Sequence, residues 1–371
     1  MKPRILFILH LPPPIHGAAM MGKYIQESEL VNSSFDCFCI NLATAGSLSD
    51  IGHISLKKLL KYFFLLKHIS HVVREIRPEL VYITPNAGGK AFFKDFIVVQ
   101  MLKSMGCKVI AHYHNKGVSV YQSKWVYNFF YKRFFSNLKV ILLAENLYKD
   151  MAKYVKREDV YICPNGIPSS CKEEMEARRN NVIPHLLFLS NLLISKGVIV
   201  LLDALRILKE KGYLFNCQYV GGETAEINAV QFSEEVDKRD LNDRVAYVGR
   251  KVGEEKNAFF QQADIFILPT MNECFPLVIL EAMEYKLPVI STNEGGIPDM
   301  VKDGENGLIC EKQNPVSLAD CIAKLLDDEE LRVKMGNAGY DKFCREFTLQ
   351  QFEHRMLDIL SQNLPQKEKE N

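Results

Sequence analysis

The sequence predicts an α/β protein built from two parallel sheets with helices on both faces. Short apolar runs recur along the chain, and most are followed by a polar or glycine-rich loop and then by a helical pattern. This alternation is the βαβ repeat of doubly wound folds. With 371 residues, of which 47% are hydrophobic, the chain can bury two cores of ordinary size.

In the first half, three strands are predicted over residues 4–11, 80–84 and 107–111. A stiff, proline-rich loop that ends at Gly17 follows the first strand and leads into a helix. A glycine here fits a phosphate-binding loop, but a turn that simply needs glycine explains it equally well.

The third strand runs into H-Y-H-N-K-G, which contains His112 and His114. Side chains at the carboxyl end of a parallel strand enter the ligand crevice, which makes both histidines candidates for chemistry. Two histidines that share a face could also hold a metal ion, but no third ligand accompanies them. We therefore predict no metal site.

The second half repeats the unit of strand, loop and helix more regularly. A helix over 198–211 follows the first of five predicted strands. The strands cover residues 186–190, 215–220, 245–248, 263–269 and 288–292. Each ends in a polar or glycine-containing loop, at the edge where open α/β sheets bind ligands.

The segment E-C-F-P-L-V-I-L-E, from Glu273 to Glu281, follows the fourth of these strands and changes to a helical period. Pro276 suits the first turn of a helix. The free amides of residues 275–277 and the helix dipole could bind a phosphate, while each carboxylate binds sugar hydroxyls. Taken alone, the segment fits a surface helix with two ordinary acids equally well.

Four motifs, in their order and separation, resemble those of retaining GT-B glycosyltransferases of the glycosyl transferases group 1, or family 4, type. They are C-P-N-G-I at 163–167, S-K-G at 195–197, E-x7-E at 273–281 and G-G-I-P-D at 295–299. The resemblance implies two Rossmann-like, doubly wound domains that face each other across a cleft. It also implies retaining transfer of a hexose-type sugar from a UDP- or GDP-linked donor, without metal or cofactor. The implied acceptor is a saccharide or a lipid-linked molecule, in the biosynthesis of cell-surface polysaccharide or lipopolysaccharide.

The resemblance also assigns roles to single residues. Lys196 would contact the donor diphosphate, Glu273 the donor sugar and Glu281 the ribose hydroxyls. His114, which fits better than His112, would face the reacting sugar. The predicted catalytic residues are His114, Lys196 and Glu273. The predicted donor-binding residues are Gly17, Asn191, Lys196, Gly221, Arg250, Glu273, Phe275, Pro276, Leu277 and Glu281.

Two positions depart from the family pattern. Asn191 stands where the family usually has an arginine, so the diphosphate would lose one of two cations. Arg250, at another strand end, is the candidate replacement. Cys274 stands where glycine is common.

The net charge of +1 conceals two oppositely charged halves. Residues 1–170 contain 22 Lys and Arg against 11 Asp and Glu, which leaves 24 against 34 in the remainder. Lysines and large apolar residues concentrate in 56–67 and 121–139. Such segments either bind anionic membranes or form core with a solvated outer face. For 121–139 both interpretations stay open, and we interpret most of Leu59–Leu66 as core. No nucleic-acid-binding module is recognisable.

The predicted domains are an acceptor-binding domain over 1–168, completed by a returning helix at about 348–364, and a nucleotide-sugar-binding domain over 169–347. We expect residues 365–371 to be a disordered tail. No apolar stretch is long enough to span a bilayer, no signal sequence is visible, and the ten cysteines include no C-x-x-C pair. These features predict a cytoplasmic protein, with a place on the inner face of the plasma membrane if the anionic-membrane interpretation holds.

Three alternatives remain at this stage. A non-hydrolysing sugar-nucleotide epimerase shares the fold and the diphosphate site but has no acceptor. A degenerate homologue would bind nucleotide without turnover. An NAD-dependent oxidoreductase is disfavoured, because no G-x-G-x-x-G motif follows an early strand.

Overall fold

The computed structural model describes residues 2–13, 17–42, 56–169 and 181–365, with only the backbone for 56–58. The chain divides into two compact units, one of Met1–Gly166 with Leu349–Asn371 and one of Ile167–Thr348. The predicted boundaries were 168/169 and 347/348. The predicted disordered tail lies outside the described residues from 366 onward, as do residues 170–180 near the predicted boundary between the domains.

The first unit contains a six-stranded parallel sheet. Its strands are β1 (Arg4–Leu9), β2 (Asp36–Asn41), β3 (Leu80–Ile83), β4 (Val109–Tyr113), β5 (Lys139–Leu142) and β6 (Val160–Ile162). Their order across the sheet is β2-β1-β3-β4-β5-β6. The strand predicted over 107–111 was placed too early. His112 lies inside β4, paired in register with Ile141, because the apolar run continues through the buried Tyr113.

Helices connect these strands. They are α1 (Gly17–Glu27), α2 (Glu29–Ser34), α3 (Leu56–Ile76), α4 (Gly89–Ser104), α5 (Val118–Tyr121) and α6 (Trp125–Phe135). The α4 and α6 helices pack through an aromatic cluster that includes Phe92, Phe96 and Phe130. This packing closes one face of the sheet.

The second unit contains another six-stranded parallel sheet. Its strands are β7 (His185–Leu189), β8 (Asn216–Val220), β9 (Val245–Tyr247), β10 (Ile265–Leu268), β11 (Val289–Thr292) and β12 (Gly307–Cys310). The order is β12-β11-β10-β7-β8-β9. Strand order therefore reverses between β7 and β10, and the crevice beyond the carboxyl ends of such a pair is where doubly wound sheets bind ligands.

The helices of this unit, and one that returns to the first, complete the fold. They are α7 (Val198–Glu210), α8 (Ala229–Asp237), α9 (Gly253–Gln262), α10 (Leu277–Glu284), α11 (Ile297–Met300), α12 (Pro315–Asp327), α13 (Glu329–Glu346) and α14 (Leu349–Gln362). The α14 helix belongs to the first unit, where Phe352, Met356 and Leu360 join a core with Phe7 and Tyr82.

The interpretation of Leu59–Leu66 as mostly core was wrong. In α3 the fully buried side chains are Ile69 and Val73, in the second half of the helix, whereas Phe63 and Phe64 are exposed. The helix has 21 residues and is about 30 Å long, so it extends beyond strands of four to six residues. Its first half contacts α4, where the Tyr62 hydroxyl donates to the Lys94 carbonyl at 2.6 Å.

The 121–139 segment is partly core and partly exposed, so each of its two interpretations, core or membrane-binding surface, fits some of its residues. Tyr131, Phe134 and Phe135 are buried in the core, while Trp125 and Phe129 face solvent. Among the described helices, none is long and apolar enough to cross a membrane.

Candidate functional site

The loop after β7 is fastened to the end of β10. Residues Ile194–Lys196 form a single 3₁₀ turn, and Gly197, at φ 83°, begins α7. The Ser195 carbonyl accepts a hydrogen bond of 2.8 Å from the Met271 amide. A Cβ at Gly197 would lie 2.2 Å from the Pro269 carbonyl oxygen. Only glycine allows this approach, which holds Lys196 at the point where strand order reverses.

Lys196 reaches Glu273 in the loop that follows β10. The ammonium group forms an ion pair with Glu273 Oε1, and both side chains are only 19% exposed. Because both side chains are mostly shielded from solvent, the attraction between their charges is screened less than at the surface. Lys196, which was predicted to contact the diphosphate, and Glu273, which was predicted to contact the sugar, are therefore neighbours.

The two glycines of the G-G-I-P-D motif pack against the backbone of the Glu273 loop. Gly295 has φ 54°, and a Cβ there would lie 2.3 Å from the Glu273 carbonyl oxygen. The Gly296 amide donates to the Cys274 carbonyl at 2.7 Å. These contacts fix the backbone on either side of Cys274, and they give the motif a structural function.

The α10 helix begins directly after this loop. Pro276 is its N-cap, one position earlier than predicted, and Leu277 is its first residue. The preceding Phe275 is buried against Phe347. The helix places its free amino-terminal amides beside Glu273, which produces a local positive potential for an anion.

Glu281 lies one turn into α10. Its Oε1 accepts a hydrogen bond of 2.8 Å from Lys256 of α9. Its Oε2 is buried and has no hydrogen-bond partner among the described residues. A buried carboxylate oxygen with unused acceptor capacity is suited to a ligand hydroxyl.

Asn191 and Arg250 flank the glycines at the end of β8. Asn191 Oδ1 accepts from the Gly222 amide at 3.1 Å. A Cβ at Gly222 would lie 3.1 Å from Asn191 Oδ1 and 4.0 Å from Arg250 Cδ, so the two side chains are neighbours. Arg250 is exposed and forms no ion pair with a described residue. A Cβ at Gly221 would lie 1.8 Å from the Ser190 carbonyl oxygen, so this crossing also requires glycine.

The two histidines of the first unit differ in their surroundings. His112 is fully buried, and its Nδ1 lies 2.6 Å from the Tyr82 hydroxyl. Burial, together with the neighbouring His114, holds the pKa of His112 well below its usual range, so this ring is neutral. His114 is partly exposed at the end of β4, with its ring centroid 4.2 Å from that of His112. His114 is thus the more exposed of the two residues, although both of its ring nitrogens are buried.

Gly17 is exposed at the start of α1, and the three residues before it lie outside the described ranges. Within those ranges, no group of three His, Cys, Asp or Glu side chains could hold a metal ion.

Two charged contacts in the second unit were missed by the sequence analysis. One is the support that Lys256 gives to Glu281. The other is an ion pair between the buried Glu294, next to Gly295, and Lys312. Neither lysine belongs to a recognisable motif, so no sequence signal points to them.

Residues 172–342 match the family model described as Glycosyl transferases group 1. An uncharacterized glycosyltransferase of Methanocaldococcus jannaschii is 33% identical over 162 residues, which are 44% of this chain and 43% of that protein. The capsular polysaccharide biosynthesis glycosyltransferase CapM of Staphylococcus aureus is 32% identical over 155 residues, 42% and 40% of the two chains. Each alignment thus spans less than half of the relative's own length.

Solved structures match over nearly the whole chain. Sucrose-phosphate synthase from Thermosynechococcus elongatus has a TM-score of 0.73 at 19% identity, over 98% of this chain and 99% of that one. Anabaena HepE in complex with UDP has a TM-score of 0.72 at 16% identity, over 98% and 100%. The predicted α/β fold class of the GT-B type is confirmed. The solved structures establish the fold, and the family match with the glycosyltransferase relatives supports a group 1 glycosyltransferase over residues 172–342.

Proposed function

We propose that this protein transfers a hexose-type sugar from a UDP- or GDP-linked donor to a saccharide or lipid-linked acceptor. The observation that carries the proposal is the pairing of Lys196 with Glu273 where strand order reverses. A relative that makes capsular polysaccharide and a neighbour whose structure contains UDP support the substrate class. The proposed pathway is cell-surface polysaccharide or lipopolysaccharide synthesis on the cytoplasmic side of the membrane.

In the proposed reaction, the Lys196 ammonium group leaves its ion pair with Glu273 and binds the donor diphosphate. The bond from the anomeric carbon to the diphosphate oxygen breaks, and negative charge develops on the leaving group. Lys196 and the amides that open α10 stabilise that charge, as preorganised donors do in other enzymes. Glu273, freed from its ion pair, orients the sugar through its hydroxyls.

The acceptor hydroxyl then attacks the anomeric carbon from the face that the diphosphate leaves. Because attack and departure take place on the same face, the configuration is retained, and the acceptor proton passes to an oxygen of the leaving diphosphate. In this proposal His114 contacts the donor sugar, and the free Oε2 of Glu281 accepts a ribose hydroxyl. The ammonium group and the helix amides supply the positive charge, so the reaction requires neither a metal ion nor a cofactor.

Thermal-shift measurements with UDP, GDP, ADP and dTDP test the donor half of the proposal. A nucleotide that binds the folded state raises the melting temperature, and the effect grows with its concentration. We expect one of the four to stabilise the wild type and to lose this effect in Lys196→Ala. The exposed Lys211, which pairs with Asp320 elsewhere in the same unit, provides the matched control Lys211→Ala. Absence of a shift with all four would contradict the proposal.

Turnover with the corresponding nucleotide sugar tests the other half. We expect release of nucleoside diphosphate that depends on added acceptor and is unaffected by EDTA. Conversion of the nucleotide sugar without acceptor would indicate an epimerase instead. Nucleotide binding without any turnover, over a panel of lipid extracts and saccharides, would indicate a binding-only homologue.

A further inference from the structure

Three helices of the first unit form one continuous layer on its sheet. The connections β2 to β3, β3 to β4 and β4 to β5 all move in the same direction across the strand order. Because such crossovers are right-handed, α3, α4 and α6 cover the same face of the sheet. The α4 helix packs against both of the others. Their outward sides therefore belong to one surface, which we name the α3-α4-α6 face.

This face exposes large apolar side chains from all three helices. The exposed fractions range from 47% to 80%, and the residues are Leu59, Leu60, Phe63, Phe64, Ile97, Trp125 and Phe129. Leu59, Leu60, Phe63 and Phe64 recur at one-turn spacing on α3, as Trp125 and Phe129 do on α6, so each set projects from one side of its helix. Soluble monomers seldom expose so many large apolar residues together unless the surface binds something.

The charges around these side chains are of one sign. The Lys67 ammonium group lies 4.7 Å from the ring centroid of Phe63, and the Arg133 guanidinium lies 4.9 Å from that of Phe129. Further exposed lysines are Lys61, Lys90, Lys94, Lys124 and Lys132. The α6 helix contains no acid, and the one acid of α4, Asp95, is buried. The one acid of α3, Glu75, is exposed beside His71 in the last turn, at the other end of the helix from Phe63 and Phe64. Cations beside exposed aromatic rings are the composition of surfaces that enter the headgroup layer of anionic bilayers.

We propose that the α3-α4-α6 face binds the surface of an anionic lipid bilayer, with Trp125, Phe129, Phe63 and Phe64 entering the headgroup layer. A second copy of the chain is a poorer occupant, because two faces of like positive charge would repel each other. The bilayer satisfies both requirements, since it accepts apolar side chains and its headgroups neutralise the cations. The inference does not depend on the proposed reaction.

Trp125 makes the proposal directly measurable, because it is the only tryptophan of the chain. Vesicles of phosphatidylcholine with about one-third phosphatidylglycerol should shift its emission to shorter wavelength and protect it from iodide, as expected for an amphipathic surface that binds anionic lipid. Brominated acyl chains in the same vesicles should quench it. Vesicles of phosphatidylcholine alone should bind at least tenfold more weakly. Added salt should weaken binding to the vesicles that contain phosphatidylglycerol. An equal response to both lipids, or none to either, would overturn the proposal.

Variants that retain Trp125 as the probe test whether vesicles bind this face or another part of the surface. Phe63→Ser with Phe64→Ser should weaken vesicle binding at least tenfold, although both lie on a different helix from the probe. Val316→Ser with Val333→Ser removes two valines that are 54% exposed in the other unit, and it should leave binding unchanged. If both double variants bind vesicles as the wild type does, the face is not the binding surface. A blue shift that grows with protein concentration in the absence of vesicles would assign the face to self-association instead.

Discussion

Lys196 and Glu273 are 77 positions apart in the sequence and form an ion pair where β7 and β10 lie side by side. The hydrogen bond from the Met271 amide to the Ser195 carbonyl joins their two loops, and the bond from the Gly296 amide to the Cys274 carbonyl joins the Glu273 loop to the loop after β11. The pair therefore lies between loops that backbone hydrogen bonds hold together. Each charge compensates the other at the proposed donor site.

Removing either partner should abolish most of the proposed turnover. Lys196→Ala removes the ammonium group that stabilises the leaving diphosphate, and loss of one such preorganised group costs about 100- to 1,000-fold in kcat. Glu273→Ala should lower kcat similarly while retaining nucleoside diphosphate binding, because Lys196 loses its competitor. Steady-state rates and diphosphate affinity measure the two effects. Full activity in either variant would refute the assignment.

Gly295→Ala should destabilise the fold and also weaken nucleotide binding. The new methyl group would collide with the Glu273 carbonyl, and φ 54° is unfavourable for alanine, so we expect a loss of about 2–4 kcal/mol. Gly304 is the matched control, because its φ of 78° is equally restrictive but nothing lies within 4 Å of the added Cβ. Gly304→Ala should cost only about 1 kcal/mol and leave binding intact. Equal effects of the two substitutions would show that the contact with Glu273 is unimportant.

Much of the second unit could be predicted from the sequence. The five strands predicted there all exist, because each is a mostly apolar run followed by a polar or glycine-containing loop. The motif residues Lys196 and Glu273 also converge as the strand order requires. The strands β6 and β12, which lie at the edges of the two sheets, were not predicted.

The sequence could not predict how far α3 extends beyond its sheet or which carboxylates share a lysine. Helical periodicity shows which side of a helix is apolar, but a helix longer than the strands beneath it exposes that side at one end. Lys256 reaches Glu281 only because α9 and α10 are close in space. Such contacts between distant segments leave no local trace in a single sequence.

Lys256→Met should weaken nucleotide binding through Glu281. The lysine fixes one carboxylate oxygen, which orients the buried Oε2 toward the proposed ribose hydroxyl. We expect about tenfold weaker binding of the nucleoside diphosphate, the usual size for one hydrogen bond to a charged group. Inorganic pyrophosphate has no ribose, so its affinity should be unchanged. An equal loss for both ligands, measured by calorimetry, would indicate general damage to the site.

Asp95 should make the stability of the first unit depend on pH. The Asn86 amide and side chain donate to its Oδ2 at 2.7 and 2.8 Å, but burial prevails and raises its pKa to about 6. The native state thus holds the proton more tightly than the unfolded state. The contribution of the protonated Asp95 to the free energy of unfolding is fully present below about pH 4 and is lost as the pH rises through about 6.

Between about pH 5 and pH 7.5, the free energy of unfolding should fall by about 1–1.5 kcal/mol more in the wild type than in Asp95→Asn. Asparagine can still accept from Asn86 and does not ionise. Urea unfolding of both proteins at the two pH values measures the difference. If the free energy of unfolding changes equally with pH in both proteins, the pKa of Asp95 is not raised in the native state.

Arg250 should replace the arginine that position 191 lacks. Its guanidinium is exposed next to Asn191, whose amide carries no charge. Arg250→Ala should therefore weaken pyrophosphate binding about tenfold, as expected for a charge-assisted contact. Arg206→Ala is the control, since this exposed arginine of α7 pairs only with Glu210 among the described acids.

The substitution Asn191→Arg should then compensate for the loss. In the single variant, pyrophosphate should bind more tightly than in the wild type, and the added cation should steepen the dependence on salt. In the double variant, Arg250→Ala should cost less than it does alone, because the two guanidinium groups serve the same oxygens. Additive effects would mean that Arg250 acts elsewhere. An Arg250→Ala protein with wild-type pyrophosphate affinity would leave Lys196 as the only cationic side chain of the proposed diphosphate site.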